Sequence, residues 1–257
     1  LVLGYNQTTN PGAPSTTTGT YNLNGGVLNV NGITTGQGNG YTSSNLAAAS
    51  TFTDSANVFT TTAGGTANFN WGGGTLRPFD AALTIGSGVN VTLTAAGSTV
   101  DTDDAAGISR LVTFNTPITG GYGITETGGG VLLLTSANSY TGDTNIVSGI
   151  LRPGTANAIP SGPGYGNVIL NSGATAAGTL GLNGFSISIT GPVGDSANPV
   201  LGQVVNNVNG SNVTLTVGNN NQTSTFSGLI KNNNNNGVDN SGTGTVVSSR
   251  CSGSSIV

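Results

Sequence analysis

The chain has 257 residues, 44 of them Gly, and only 5% are charged: five basic against nine acidic, with no His and a formal net charge of −4. An ordinary soluble domain is about 25% charged, so solubility here must come from Asn, Thr, Ser and exposed backbone. The missing His excludes Ser–His–Asp and Cys–His nucleophilic centres and His-built zinc sites. Five scattered cations (Arg77, Arg110, Arg152, Lys231, Arg250) exclude the clustered basic surface that nucleic acid requires.

Taken in chain order, residues 1–20, with Pro11, Pro14 and the run Ser15–Thr18, read as an approach segment or an irregular first coil. The chain opens at Leu1 without a Met or a signal peptide, which reads as a processed or partial chain. A degenerate unit then recurs, a short strand with Gly before it and Leu at a fixed offset: Tyr21-Asn-Leu-Asn-Gly-Gly-Val-Leu28, Phe69-Asn-Trp-Gly-Gly-Gly-Thr-Leu76, Asn145-Ile-Val-Ser-Gly-Ile-Leu151 and, more loosely, Gly178-Thr-Leu-Gly-Leu182. Two copies continue identically, through Leu76-Arg77-Pro78 and Leu151-Arg152-Pro153. Between them Val89–Thr94, Phe185–Thr190 and Val213–Val217 alternate apolar and polar residues, the period of a half-buried strand. Asn232–Asn236 reads as a projecting loop, and no apolar run approaches the roughly 20 residues of a membrane helix.

The predicted class is all-β, a β-solenoid of irregular coils forming one domain over residues 1–257, part of a longer chain or assembly. One short strand with one apolar face cannot bury it alone, so coils must stack to make a continuous core. Gly suits the corners, and Asn and β-branched residues align in ladders. At roughly 20 residues per coil the chain would give about a dozen coils. A β-sandwich would want more uniform strand spacing and hairpin turns.

The stretch Thr125-Glu-Thr-Gly-Gly-Gly-Val-Leu-Leu-Leu-Thr-Ser-Ala-Asn-Ser-Tyr-Thr-Gly-Asp-Thr-Asn-Ile-Val-Ser-Gly-Ile-Leu151 resembles the autotransporter-associated β-strand repeat. Leu134-Thr135, Asn138, Tyr140-Thr-Gly142, Thr144 and Gly149-Ile-Leu151 carry the match, which extends through Ala158-Ile-Pro160 and Val168–Gly173 to cover residues 125–190. The resemblance implies a right-handed parallel β-helix in a bacterial surface or secreted protein, where such repeats form a stalk or passenger and carry no catalytic residues. Arg250-Cys-Ser-Gly253 departs from the Lys-Thr-Gly that the pattern leads one to expect.

Candidate chemistry is sparse. Asp101, Asp103 and Asp104, with Arg110 nearby, could hold Ca²⁺, whose ligands are oxygens; the plainer reading is a solvated turn. β-Helix polysaccharide lyases similarly combine carboxylates with a basic residue. Asp80, Asp143, Asp195 and Asp239 are isolated and sit in turn contexts rather than in the carboxylate pair of a glycosidase. Trp71 is the candidate for stacking on a glycan, with Tyr5, Tyr21, Tyr41, Tyr122, Tyr140 and Tyr165 behind it; such rings more often fill cores. Asn6, Asn90, Asn209, Asn212 and Asn221 open Asn-x-Ser/Thr sequons, Cys251 is a lone thiol beside Arg250, and Lys231 reads as a loop residue. No cofactor is implied. The sequence therefore points to an extracellular structural element, a stalk or filament subunit that self-associates end to end or laterally. An adhesin or carbohydrate-binding passenger is the alternative, and a polysaccharide-active enzyme a remote one.

Overall fold

The computed structural model describes residues 2–3, 17–30, 32–35, 65–170, 177–194, 202–208, 210–218, 226, 228–232 and 246–250. Among these residues there is no helix, and every pairing between strands is parallel. Among the described residues no helix is therefore long and apolar enough to cross a membrane.

The first strands are β1 (Val2–Leu3), β2 (Thr17–Leu23), β3 (Val27–Asn29), β4 (Gly32–Thr35), β5 (Gly65–Trp71), β6 (Gly74–Arg77) and β7 (Leu83–Ile85). Next come β8 (Val89–Leu93), β9 (Ser98–Asp101), β10 (Leu111–Phe114), β11 (Ile118–Gly120), β12 (Ile124–Thr127) and β13 (Val131–Leu134). Then follow β14 (Thr144–Ile146), β15 (Gly149–Pro153), β16 (Val168–Leu170), β17 (Gly178–Gly181) and β18 (Ile187–Ile189). The last are β19 (Pro192–Gly194), β20 (Gln203–Asn206), β21 (Val213–Val217), β22 (Leu229–Asn232) and β23 (Val246–Arg250).

Four sheets collect them: a long one, β1-β4-β7-β10-β13-β15-β17-β20-β22; a seven-stranded one, β19-β16-β14-β12-β9-β6-β3; a four-stranded one, β11-β8-β5-β2; and a three-stranded one, β18-β21-β23. From β2 to β13 the chain deals its strands in rotation to the four-stranded, the seven-stranded and the long sheet, then begins again. One such passage is called a circuit below.

Alternation builds the core. On the seven-stranded sheet Leu28, Leu76, Val100, Glu126, Ile146 and Leu170 occupy one register row. On the long sheet Leu83, Val112, Leu132, Leu151, Leu180, Val204 and Ile230 occupy another. Inward residues of all three faces join a single hydrophobic cluster. Within it Phe69 and Trp71 stack at 5.5 Å between centroids, and Trp71 and Phe114 at 6.3 Å.

Glycine permits the close approach of successive circuits. A Cβ on Gly130 would strike the Arg110 carbonyl oxygen, and one on Gly142 the Gly123 nitrogen. The residues of the 134–151 motif act as pins at these corners. Asn138 accepts from the Ile118 N–H at 2.7 Å and donates to the Ala158 carbonyl. Buried Tyr140 shares a 2.7 Å hydrogen bond with Thr144, and Thr135 donates to the Phe114 carbonyl at 2.9 Å.

Several sequence readings are refined. Tyr21–Leu28 and Phe69–Leu76 are true equivalents, since Tyr21 pairs with Phe69 and Leu28 with Leu76. Asn145–Leu151 belongs to the next corner: its Leu151 lies on the long sheet and pairs with Leu180, whereas Leu76 lies on the seven-stranded sheet. The two Leu-Arg-Pro strings thus serve different faces, because every corner uses the same Gly-then-aliphatic chemistry. Circuits are longer than 20 residues in most places. Side-chain bonds between neighbouring circuits join residues 20 apart at Thr135–Asn115 but 30 apart at Asn183–Pro153. Among the described residues the long sheet has nine strands, beside the expectation of about a dozen coils for the whole chain. Lys231 lies on β22 rather than in a loop. Most of the 1–20 segment, Asn233–Asn236, Asp195, Asp239, Tyr5, Tyr41, Asn6, Asn209, Asn221 and Cys251 lie outside the described residues.

Candidate functional site

Between β9 and β10 the chain leaves the sheets in an excursion over residues 102–110, closed by an antiparallel bridge between Asp103 and Ser109. The three candidate metal ligands all sit here, and each is already engaged. Asp101 Oδ2 accepts from Arg77 Nε and Nη2 at 2.9 and 2.7 Å, and its Oδ1 accepts from the Asp103 N–H at 3.1 Å. Asp103 Oδ1 accepts from Ser109 Oγ at 2.8 Å and from the Gly129 N–H at 2.9 Å. Asp104 Oδ2 takes Arg110 Nε and Nη2 at 2.9 and 2.7 Å, while its Oδ1 takes the Ala106 and Ile108 N–H groups at 2.9 and 3.0 Å.

That bonding weighs against the Ca²⁺ reading. The carboxylates face N–H donors and guanidinium groups, and among the described residues no three acidic, His or Cys side chains are grouped to hold a metal. It also corrects the solvated-turn reading. Asp104 is buried, and the backbone N–H of Ile108, with further help from Arg110 and the Ala106 N–H, holds its carboxyl below the usual range despite that burial. The excursion is a bolted loop that carries Ile108, 51% exposed, on its return arm. The partner of Asp101 is Arg77, one circuit away and 24 residues back, beyond any local reading.

Trp71 is corrected as well. It is fully buried, its ring packs against Phe69 and Phe114, and its indole N–H donates to the Gly74 carbonyl at 3.2 Å. No ring face is left for a sugar. β5 points Ala67, Phe69 and Trp71 inward together, so the plainer core-filling role is the one the ring takes. Of the other rings, Tyr140 is buried and Tyr122 is 42% exposed.

Glu126 escaped notice in the sequence. It stands in the core row between Val100 and Ile146 and is 1% exposed. Neither carboxyl oxygen has a hydrogen-bond partner, and it forms no ion pair among the described residues. Burial pushes its pKa well above the ordinary carboxyl value, only partly offset by the nearby Leu132 and Ile150 backbone. Burial thus favours its protonated form over the carboxylate. The alternation Ile124-Thr-Glu126-Thr was the available signal, since it puts Glu126 on the same side as Ile124.

The outer faces differ in chemistry. The four-stranded sheet carries Thr20, Asn68 and Asn90 in one register row and Asn22, Asn70, Thr92 and Thr119 in the next. The long sheet carries Leu111, Val131 and Ile150 in one outward row, with Leu133 and Arg152 beside them.

Against known proteins, no family model matches the chain, and no solved structure matches it. It is similar to a Brucella suis biovar 1 (strain 1330) protein named Adhesin BmaC autotransporter, with 34% identity over 122 residues, 46% of this chain. The chain spans 3% of that protein's length.

Proposed function

We propose that the chain is a non-catalytic segment of a bacterial surface adhesin of the autotransporter kind, wound as a right-handed parallel β-helix that serves as a stalk and presents its outer faces extracellularly. The observation that carries this reading is the rotation of strands through three faces around one core, all pairings parallel. Parallel crossovers in one sheet are right-handed in about 98% of cases. The similarity to a protein named an autotransporter adhesin supports the surface location. The absence of turnover is inferred from how Asp101 and Asp104 are spent: each is tied to an arginine, so neither is poised as a base.

Protease treatment of intact producing cells tests the reading. The chain should be cleaved while a cytoplasmic marker survives; protection of the chain until the cells are lysed would contradict it. A second reading, lateral association between copies, is favoured by the outward aliphatics of the long sheet, including Leu111 at 42% exposure. Sedimentation that shifts with concentration, and ceases to shift in Leu111→Asn, is its expected signature.

A further inference from the structure

We propose that the outer face of the four-stranded sheet is a binding surface for a neutral, extended polysaccharide, read by its ladder of amides and hydroxyls. This deepens the adhesin reading and rests on it. Strands β2, β5, β8 and β11 contain no Asp, Glu, Lys or Arg. Their outward side chains in the described rows are all Asn or Thr. Neither other long face shares this character: the seven-stranded sheet bears the Arg77–Asp101 ion pair, and the long sheet bears aliphatics with Arg152 and Lys231.

The side chains are tied to one another across the strands. Asn70 Nδ2 donates to Asn22 Oδ1 at 2.9 Å, Asn90 Nδ2 to Asn68 Oδ1 at 3.0 Å and Asn68 Nδ2 to Thr20 Oγ1 at 3.4 Å. Thr92 and Thr119 hydroxyls meet at 3.4 Å. A primary amide has two N–H donors and two acceptor lone pairs. Asn68 spends one of each inside the ladder, so one N–H and one lone pair remain for a ligand. That is the complement of a vicinal diol, which offers an acceptor and a donor side by side. The ladder bonds also fix the amide orientations beforehand, which lowers the ordering cost of binding.

Charge selects the ligand class. An anionic glycan would be desolvated against a face with no cation, an unfavourable exchange. A protein partner would ask for aromatic or aliphatic anchors at the centre of the contact, and this face has none. Four strands spaced by about 4.8 Å give a track of roughly 14 Å, long enough for about three hexose units laid across the strands.

The test uses the purified chain, titrated by calorimetry and saturation-transfer NMR with hexasaccharides of glucose, mannose, galactose and N-acetylglucosamine, and with polygalacturonate as the anionic comparison. Saturable binding of at least one neutral hexasaccharide is expected, stronger than that of polygalacturonate. Asn90→Asp and Thr119→Val should each weaken it, the former by about tenfold for a lost donor and an added charge, while the chain stays folded by circular dichroism and loses only the melting temperature that one surface hydrogen bond supplies. Thr125→Val, on the seven-stranded sheet, should bind as wild type. Failure of every neutral sugar, preference for polygalacturonate, or equal weakening by Thr125→Val would overturn the proposal. Because the titration is done on isolated protein, failure there removes the glycan face and leaves the surface reading to stand or fall on the protease experiment.

Discussion

Replacing Glu126 by Gln should flatten the pH dependence of stability. The carboxyl is 1% exposed, both its oxygens lack partners, and burial raises its folded-state pKa. A group raised in this way leaves stability intact below its unfolded value, about 4.3 for Glu, because both states then hold the proton. As pH climbs past that value the unfolded chain releases its proton while the folded chain keeps it, and stability falls by about 1.4 kcal/mol per pH unit. The fall continues until the pH passes the folded-state value. Each unit by which the folded-state value exceeds the unfolded one therefore costs about 1.4 kcal/mol, a large share of a marginal total. Gln keeps the shape and cannot ionise, so its pH profile lacks this slope. The assay is urea denaturation of both proteins at pH 4, 5, 6 and 7, with m checked for constancy. The Gln variant should gain on wild type as pH rises above about 4.3 and stop gaining once the folded-state value is passed. Parallel profiles for the two proteins would refute the reasoning and mean that Glu126 is solvated or paired when folded.

Three further outcomes follow from the packing. Trp71→Ala removes the centre of the Phe69–Trp71–Phe114 stack and should cost about 3–5 kcal/mol in denaturation experiments, whereas an exposed sugar-stacking ring would cost almost nothing. Gly130→Ala should destabilise, against the slight stabilisation that reduced freedom of the unfolded chain alone predicts, since the new methyl meets the Arg110 carbonyl; a wild-type or higher melting temperature would show that the circuits are not that close. Asp104 has its folded pKa depressed, so its contribution is present above about pH 3.9 and is lost as pH falls through the lower folded value. The amide protons of Ala106 and Ile108 should therefore titrate, by NMR, below an ordinary Asp, and Asp104→Asn should abolish that titration.

How far the sequence reveals this molecule depends on the kind of signal. Period-2 alternation located β8 and β21 almost to the residue, because the same residues alternate between core and surface in the structure. Repeat phase was harder to read. Asn145–Leu151 looks like Phe69–Leu76, yet it turns a different corner, since any corner needs Gly to let the backbones approach and an aliphatic residue to re-enter the core. The short strand β9 was missed, as Ser98 and Thr99 hide its alternation behind polar residues; buried Ser98 donates to the Trp71 carbonyl. The acidic cluster was visible, but its role was not. Arg77 reaches Asp101 only through stacking of successive circuits, and Gly129 reaches Asp103 in the same way. Charges can be counted along a chain, but their partners are set by register.

Distances along one register row give the most direct check of the winding itself. Thr75, Thr99, Thr125, Asn145, Ile169 and Val193 follow one another across the seven-stranded sheet, all on its outward side. With Cys251 replaced, nitroxide pairs at Thr75 with Asn145, Ile169 or Val193 can be measured by pulsed electron resonance. Mean separations of about 14, 19 and 24 Å, growing by one strand spacing per circuit, are expected. Separations that fail to grow with each added circuit, or that shrink back as hairpins would make them, would contradict the parallel stacking of one chain upon itself.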